Sequence, residues 1–315
     1  LNKKLNAHIA ILFDLQGPKI RIGDLEEKNI VLKVGDELIL NHREVPGTSK
    51  EVFIKYHNFH RDVKVGDTVL VDDGKIALEV AEILPDERVL TEVVYGGPLS
   101  SRKGVNLPNT DISLPSLTEK DRKDLEFALK HDIEWIGLSF VRKPEDVVEL
   151  KNIIKAANKR TRVIAKIEKP DAVRNIDEII VVSDGIMVAR GDLGVEMAME
   201  KVPVIQKSIV KKCNEAAKPV IIATQMMESM ITNYRPTRAE ANDVGNAVFD
   251  GADALMLSAE TSVGAFPVET VAAMQKIINE VEAQDSIYYR EFKPTPDSLN
   301  FIPEHICHSA VVMSR

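Results

Sequence analysis

From Thr118 onward the chain alternates short apolar runs with amphipathic stretches, and this alternation predicts repeated strand–helix units that feed a parallel sheet. The runs are Trp135 to Phe140, Val163 to Ile167, Gly185 to Ala189, Pro219 to Ala223 and Ala252 to Leu257. Each is too short for a helix of its own and is bounded by turn or charged residues, so each is assigned as a buried strand. Helix starts fall between them. Thr118-Glu119-Lys120-Asp121 has the spacing of a capping box with Asp in place of Glu, Pro144 and Pro170 suit first-turn positions, and Pro236-Thr237-Arg238-Ala239-Glu240 opens another helix. Phe266 to Ala283 reads as a long helix that ends the series. Ala7 to Leu12 resembles one more strand, which makes six where a closed parallel barrel takes eight. The expected fold class is therefore α/β, a partial (β/α)8 TIM barrel carried by residues 1–17 and 116–290.

Residues 18–115 follow a different rhythm. Strand-like stretches Ile30 to Val34 and Glu37 to Leu40 flank Gly35-Asp36, and Asp72-Asp73-Gly74 precedes the alternation Ile76, Leu78, Val80. This predicts an inserted all-β cap domain. Asp72-Asp73-Gly74 lacks the further spaced ligands of a calcium loop and is assigned to a hairpin turn. Residues 291–315, with Pro294 and Pro296, are expected to be a linker and the start of a C-terminal α/β domain. Leu1 is not Met and no apolar leader follows it, so the chain is read as an interior excerpt of a longer protein.

Composition narrows the function. With 315 residues and a formal charge of -8, the chain lacks the basic surface that nucleic acid needs. Its apolar runs are far shorter than a membrane span, so no membrane partner is expected. Two cysteines, Cys213 and Cys307, stand far apart without metal-ligand spacing and are expected to be buried thiols in a cytoplasmic protein.

The polar residues at the ends of the predicted strands carry the chemistry. Lys166 and Glu168 are two apart at the end of one strand and so face the same side, where a parallel barrel keeps its catalytic groups. The next strand runs into Arg190-Gly191-Asp192-Leu193-Gly194, which brings a carboxylate to the same mouth. Glu168 and Asp192 suffice for one Mg²⁺, a hard cation that takes few protein oxygens and completes its shell with water and substrate. The Gly191 and Asp192 amides suit a small carboxylate. Thr224 ends the following strand with its hydroxyl toward the mouth. Ser258 and Glu260 follow the last strand, where barrels often bind phosphate, although a helix cap by Ser258 explains them nearly as well.

Ile164-Ala165-Lys166-Ile167-Glu168, Val188-Ala189-Arg190-Gly191-Asp192-Leu193-Gly194, Ala223-Thr224-Gln225-Met226, Pro236-Thr237-Arg238-Ala239-Glu240 and Met256-Leu257-Ser258-Ala259-Glu260-Thr261 occur in the order and spacing of pyruvate kinases. Asp14-Leu15-Gln16-Gly17-Pro18-Lys19-Ile20-Arg21 and Lys103-Gly104-Val105-Asn106-Leu107-Pro108 match the two crossings between barrel and cap in that family. The resemblance covers essentially the whole chain and implies phosphoryl transfer from phosphoenolpyruvate to ADP, giving pyruvate and ATP, in glycolysis. It further implies that Lys166 stabilises the phosphoryl group in flight and the enolate, with Thr224 a candidate for enolate protonation through a water. Glu168 and Asp192 would hold Mg²⁺ or Mn²⁺. Gly191, Asp192 and Thr224 would hold the substrate carboxylate, and Arg21 and Lys103 would meet the nucleotide.

Relatives that require K⁺ carry Glu where this chain has Lys19 and Thr where it has Leu15, so the resemblance implies that K⁺ is not required. Asp14 is expected to pair with Lys19. A homo-oligomer, a tetramer by family resemblance, is expected. Two alternatives stand beside this reading: a Mg²⁺-dependent lyase or aldolase acting on a 2-oxo acid, disfavoured by Arg21 and Lys103, and a non-catalytic barrel, disfavoured by the intact Lys166, Glu168, Asp192 and Thr224.

Overall fold

The apolar runs become parallel strands because both faces of each are covered, which is why they read as continuous hydrophobic stretches instead of alternating ones. A computed structural model of the chain describes residues 2–108, 110, 112–284 and 301–313. In chain order the strands are β1 (Leu12–Asp14), β2 (Ile20–Arg21), β3 (Asn29–Leu32), β4 (Glu37–Asn41), β5 (Glu51–Phe53), β6 (Thr68–Val71), β7 (Ile76–Ile83) and β8 (Val89–Tyr95). There follow β9 (Gly97–Ser100), β10 (Gly104–Asn106), β11 (Trp135–Leu138), β12 (Arg162–Ile167), β13 (Gly185–Ala189), β14 (Val220–Ala223) and β15 (Ala254–Met256).

Six of them form one parallel sheet in the order β1-β11-β12-β13-β14-β15, with helices between successive strands. This is the α/β architecture of a partial (β/α)8 barrel. Its main core lies between the sheet and its helices: Val163, Ala165 and Ile167 of β12 pack outward with Leu150, Ile179 and Val210. The other face of the sheet carries Ile164, Met187 and Ala223 with Leu12, Trp135, Ile221 and Met256 around them.

The insertion folds around its own core of buried residues, among them Leu38, Val69, Leu78 and Val93. Seven strands run in the order β2-β10-β6-β7-β8-β4-β5, and a bridge between Ile22 and Ile54 brings the two ends together, leaving few open edges. β6 and β7 form the hairpin expected around Asp72-Asp73-Gly74, with all three residues at positive φ. β3 and β4, by contrast, do not pair across Gly35-Asp36. β3 joins β9 and β4 joins β8, both antiparallel partners later in the chain.

Other expectations need correction. The first barrel strand is Leu12–Asp14, not Ala7 to Leu12; pairing begins where Leu12 comes level with Trp135. Cys213 is buried, but Cys307 is exposed on the helix Phe301–Met313. The expected linker prolines Pro294 and Pro296 lie outside the described residues. Among the described residues no helix is long and apolar enough to cross a membrane.

Candidate active site

Every strand of the parallel sheet runs the same way, so the residues that end the strands gather at one mouth. Asp14 ends β1, Ser139 and Phe140 follow β11, Lys166 and Glu168 close β12, Arg190 to Asp192 follow β13, and Thr224 follows β14. Lys166 is the hub. Its Nζ lies 3.0 Å from Asp14 Oδ2, 2.8 Å from Ser139 Oγ and 3.1 Å from Glu168 Oε1. Burial opposes its charge, yet the carboxylates of Glu168 and Asp14 outweigh this and hold the ammonium above the ordinary lysine value. Ser139 Oγ donates in turn to the carbonyl of Leu15 at 2.7 Å, which fixes where its lone pairs point.

Glu168 is 1% exposed, and its Oε2 accepts the Phe140 N–H at 2.7 Å. Burial pushes its carboxyl up to about 7, opposed by Lys166 and reinforced by the negative charge of Asp192. A buried carboxylate raised by the negative charge of a second, cleft-facing one is what a divalent cation relieves, so this donor set fits a hard metal ion. Among the described residues no group of three or more His, Cys, Asp and Glu is arranged to hold a metal, so a cation here would draw its remaining ligands from water and substrate.

Asp192 sits in the first turn of the helix Arg190–Glu196 and forms an ion pair with Lys19 from the cap crossing. The expected pair between Asp14 and Lys19 is therefore not formed: Asp14 serves Lys166, and Lys19 serves Asp192. Leu15 is 1% exposed and belongs to the barrel core. Thr224 holds a positive φ of 67°, uncommon for a β-branched residue and a sign of strain fixed by its surroundings. Two contacts fix it. The Gly191 N–H donates to Thr224 Oγ1 at 2.9 Å, and Arg190, itself bonded to Asp243 at 2.8 Å, donates to the Thr224 carbonyl at 2.7 Å. A Cβ at Gly191 would come to 3.0 Å from Thr224 Oγ1, so a larger residue there would press on the Thr224 hydroxyl.

The cap faces this mouth across a cleft of about 1020 Å³ whose lining includes Lys19, Arg21, Lys103, Gly191, Asp192 and Thr224. Arg21 and Lys103 thus stand opposite the barrel residues. Arg21 donates to the Arg102 carbonyl at 3.0 Å, and Lys103 pairs with Asp72 at 2.9 Å. Lys166 and Glu168, with side chains 13% and 2% exposed, lie behind this lining.

Ser258 and Glu260 border the same cleft, but the helix cap expected of Ser258 is not formed. Glu260 is buried, with its oxygens spent on the N–H groups of Met227 at 3.3 Å and Ser258 at 2.7 Å, and the Ser258 side chain makes no cap hydrogen bond. Sequence reasoning missed Ser139, the Phe140 N–H and the role of Arg190. Ser139 and Phe140 carry no charge to mark them; their position directly after an apolar strand was the one available signal.

A parallel sheet that gathers Lys166, Glu168 and Asp192 at the ends of its strands, with a β cap facing it, defines a (β/α)8-type barrel with a charged site at its mouth. The chain belongs to the pyruvate kinase family: residues 1–271 match the family's barrel domain, described as "Pyruvate kinase, barrel domain". It is 48% identical over 281 residues to a pyruvate kinase of Bacillus licheniformis, covering 89% of this chain and 48% of that protein. It is 46% identical over 307 residues to one of Thermotoga maritima, covering 98% of this chain and 66% of that protein. A Clostridium perfringens pyruvate kinase is 46% identical over 305 residues, covering 95% and 64%. The chain thus spans about half to two-thirds of the length of these curated relatives.

Proposed function

We propose that the full-length protein is a cytoplasmic glycolytic pyruvate kinase that moves the phosphoryl group of phosphoenolpyruvate onto ADP, giving pyruvate and ATP. The observation that carries this reading is the convergence of Lys166, Glu168, Asp192 and Thr224 on one mouth, with Arg21 and Lys103 across the cleft. Phosphoryl transfer asks for positioning and charge neutralisation more than covalent catalysis. Lys166 is charged at neutral pH and held by three partners, so it meets charge on the migrating phosphoryl group and the enolate without first reorganising. The Thr224 hydroxyl accepts from Gly191, which leaves its own proton free for the substrate carboxylate or for relay through a water to the enolate carbon. The Asp192 amide helps to hold that carboxylate, and the Gly191 N–H, which donates to Thr224 in this structure, orients the hydroxyl beside it. Arg21 and Lys103 bind the nucleotide phosphates, and the cap keeps out water that would otherwise take the phosphoryl group.

Glu168 and Asp192 would hold Mg²⁺, with Mn²⁺ able to substitute, and the bound cation would neutralise phosphoryl oxygens and orient them. Lys19 supplies the single positive charge that relatives draw from K⁺, so K⁺ is not required. The protein works as a homo-oligomer, a tetramer by family likeness. The test is a coupled assay for pyruvate formation by the full-length protein, with and without ADP, on wild type and Lys166→Met. The variant should lose about a hundredfold or more in turnover per folded molecule while its circular dichroism spectrum stays that of the wild type. Near-normal turnover would remove Lys166 from the chemistry.

A further inference from the structure

One buried polar cluster outside the catalytic groups joins the cap to the barrel. Asn106 ends β10 at the second crossing, and its Nδ2 donates to Glu196 Oε1 at 2.9 Å. The same oxygen receives Lys169 Nζ at 2.7 Å. All three side chains are buried: Asn106 and Glu196 are each 2% exposed and Lys169 is 8% exposed.

Their placement links this cluster to the proposed chemistry. Glu196 closes the helix whose first turn holds Gly191 and Asp192, and Lys169 directly follows Glu168. Asn106 therefore ties the cap to both segments that carry the candidate metal carboxylates. A cavity of about 20 Å³ touches Asn106, Lys169 and Glu196 and reaches Pro18 and Lys19, so the cluster sits where the two crossings meet.

A buried ion pair is a costly way to hold two segments together, since well-packed apolar residues would do so with no desolvation penalty. What it supplies is a defined direction. Asn106 Oδ1 and Glu196 Oε2 are also buried without a protein partner, and buried polar atoms left so call for an explanation. A hydrogen-bond network only partly satisfied in one position of the cap is suited to being remade in another.

We propose that Glu196, anchored by Lys169 and bonded to Asn106, is a positioning residue that sets the angle of the cap over the barrel. It thereby sets the reach of Arg21 and Lys103 toward a nucleotide. The kinetic half of this proposal rests on the phosphoryl-transfer reading; the structural half does not.

The experiment uses the full-length protein with Asn106→Ala, Asn106→Asp and the exchange Asn106→Asp/Glu196→Gln. The exchange swaps donor and acceptor across the same contact. Spin labels at Val65→Cys in the cap and Val181→Cys on the barrel, both exposed, in a Cys307→Ser background, report the distance between the two bodies. Asn106→Asp should shift or broaden that distance, and the exchange should restore it.

In the assay, both single variants should raise KM for ADP about tenfold, as loss of a buried hydrogen bond to a charged group predicts, with KM for phosphoenolpyruvate little changed. Unchanged distances and unchanged KM values in both single variants would overturn the proposal. So would lower stability with normal KM values per folded molecule, which would make the cluster a brace only. A wild type without ADP-dependent turnover would defeat the phosphoryl-transfer reading instead, and the distances would still judge the hinge.

Discussion

Lys19 and Lys166 reach the same mouth but answer to different carboxylates: Lys166 is held by Asp14 and Glu168, and Lys19 is paired with Asp192. The consequence is testable through K⁺. A tethered ammonium supplies one compact positive charge, and the side chain of Leu15, buried in the barrel core, offers no oxygen to a monovalent cation. Initial rates of the full-length wild type in tetramethylammonium and potassium buffers of equal ionic strength should be nearly the same, and Lys19→Glu should acquire dependence on K⁺. Strong activation of the wild type by K⁺ would end the idea. The charged residues at strand ends were legible because an apolar run stopping at Lys, Glu or Asp is conspicuous in sequence. The partner of Lys19 was not, since it depends on how the cap crossing folds back over the helix Arg190–Glu196. The two cysteines divide in the same way. Burial first, and the charge of Asp253 second, push the Cys213 thiol up to about 12, while Cys307 is exposed. An unfolded thiol ionises near its ordinary value of 9.0, so between there and about 12 the unfolded chain binds fewer protons and stability falls as pH rises. Thiol titration at pH 8 should find Cys307 reactive and Cys213 silent until denaturant is added. Equal reactivity of the two in the native protein would contradict the buried placement.

The helix Glu119–Ala128 shows how a local signal reaches beyond its element. Thr118 Oγ1 accepts the Asp121 N–H at 3.1 Å and Asp121 Oδ2 accepts the Thr118 N–H at 3.0 Å, the reciprocal capping box that the sequence spacing predicts. Asp121 does more than cap. It is fully buried, and its Oδ1 accepts the N–H of Gly17 at 3.1 Å, pinning the first crossing to the cap. Gly17 itself has a φ of +67° and would bring a Cβ within 2.8 Å of Phe140, so the turn it makes is available only to glycine. Thr118→Ala should cost about 1 kcal/mol, the usual loss of an N-cap. Asp121→Ala should cost roughly 2–4 kcal/mol, because buried donors in two elements lose their acceptor together. Denaturant midpoints at constant m-value would compare them, and equal costs would show that the Gly17 contact contributes nothing. Element existence was readable from apolar runs and caps. Pairing was not: nothing local distinguishes β3 and β4, separated by Gly35-Asp36, from a hairpin, and their partners β9 and β8 are chosen by the closure of the whole cap.

At the scale of the molecule the two sheets differ in how they end. The cap sheet comes round on itself through Ile22 and Ile54, whereas among the described residues the parallel sheet stops at β1 on one side and β15 on the other. A strand without a second neighbour presents a row of unpaired N–H and C=O groups, which templates association with another chain. The inner face adds to this, since Leu12, Trp135, Ile221 and Met256 are only partly buried where a closed barrel would pack side chains in layers. Strand order and the count of six were within reach of the sequence, because each strand carries its own apolar run. How far the sheet curls, and what its two edges meet, is a property of the assembled barrel and is written in no local stretch. Residues 1–315 expressed alone should therefore self-associate, with the net charge of -8 slowing the process at low salt and added salt promoting it as repulsion is screened. Light scattering after size exclusion, at low and moderate salt, measures this directly. A strictly monomeric species at both salts, melting in one cooperative transition, would mean that the edges of β1 and β15 are protected and that the six-stranded sheet is stable as it stands.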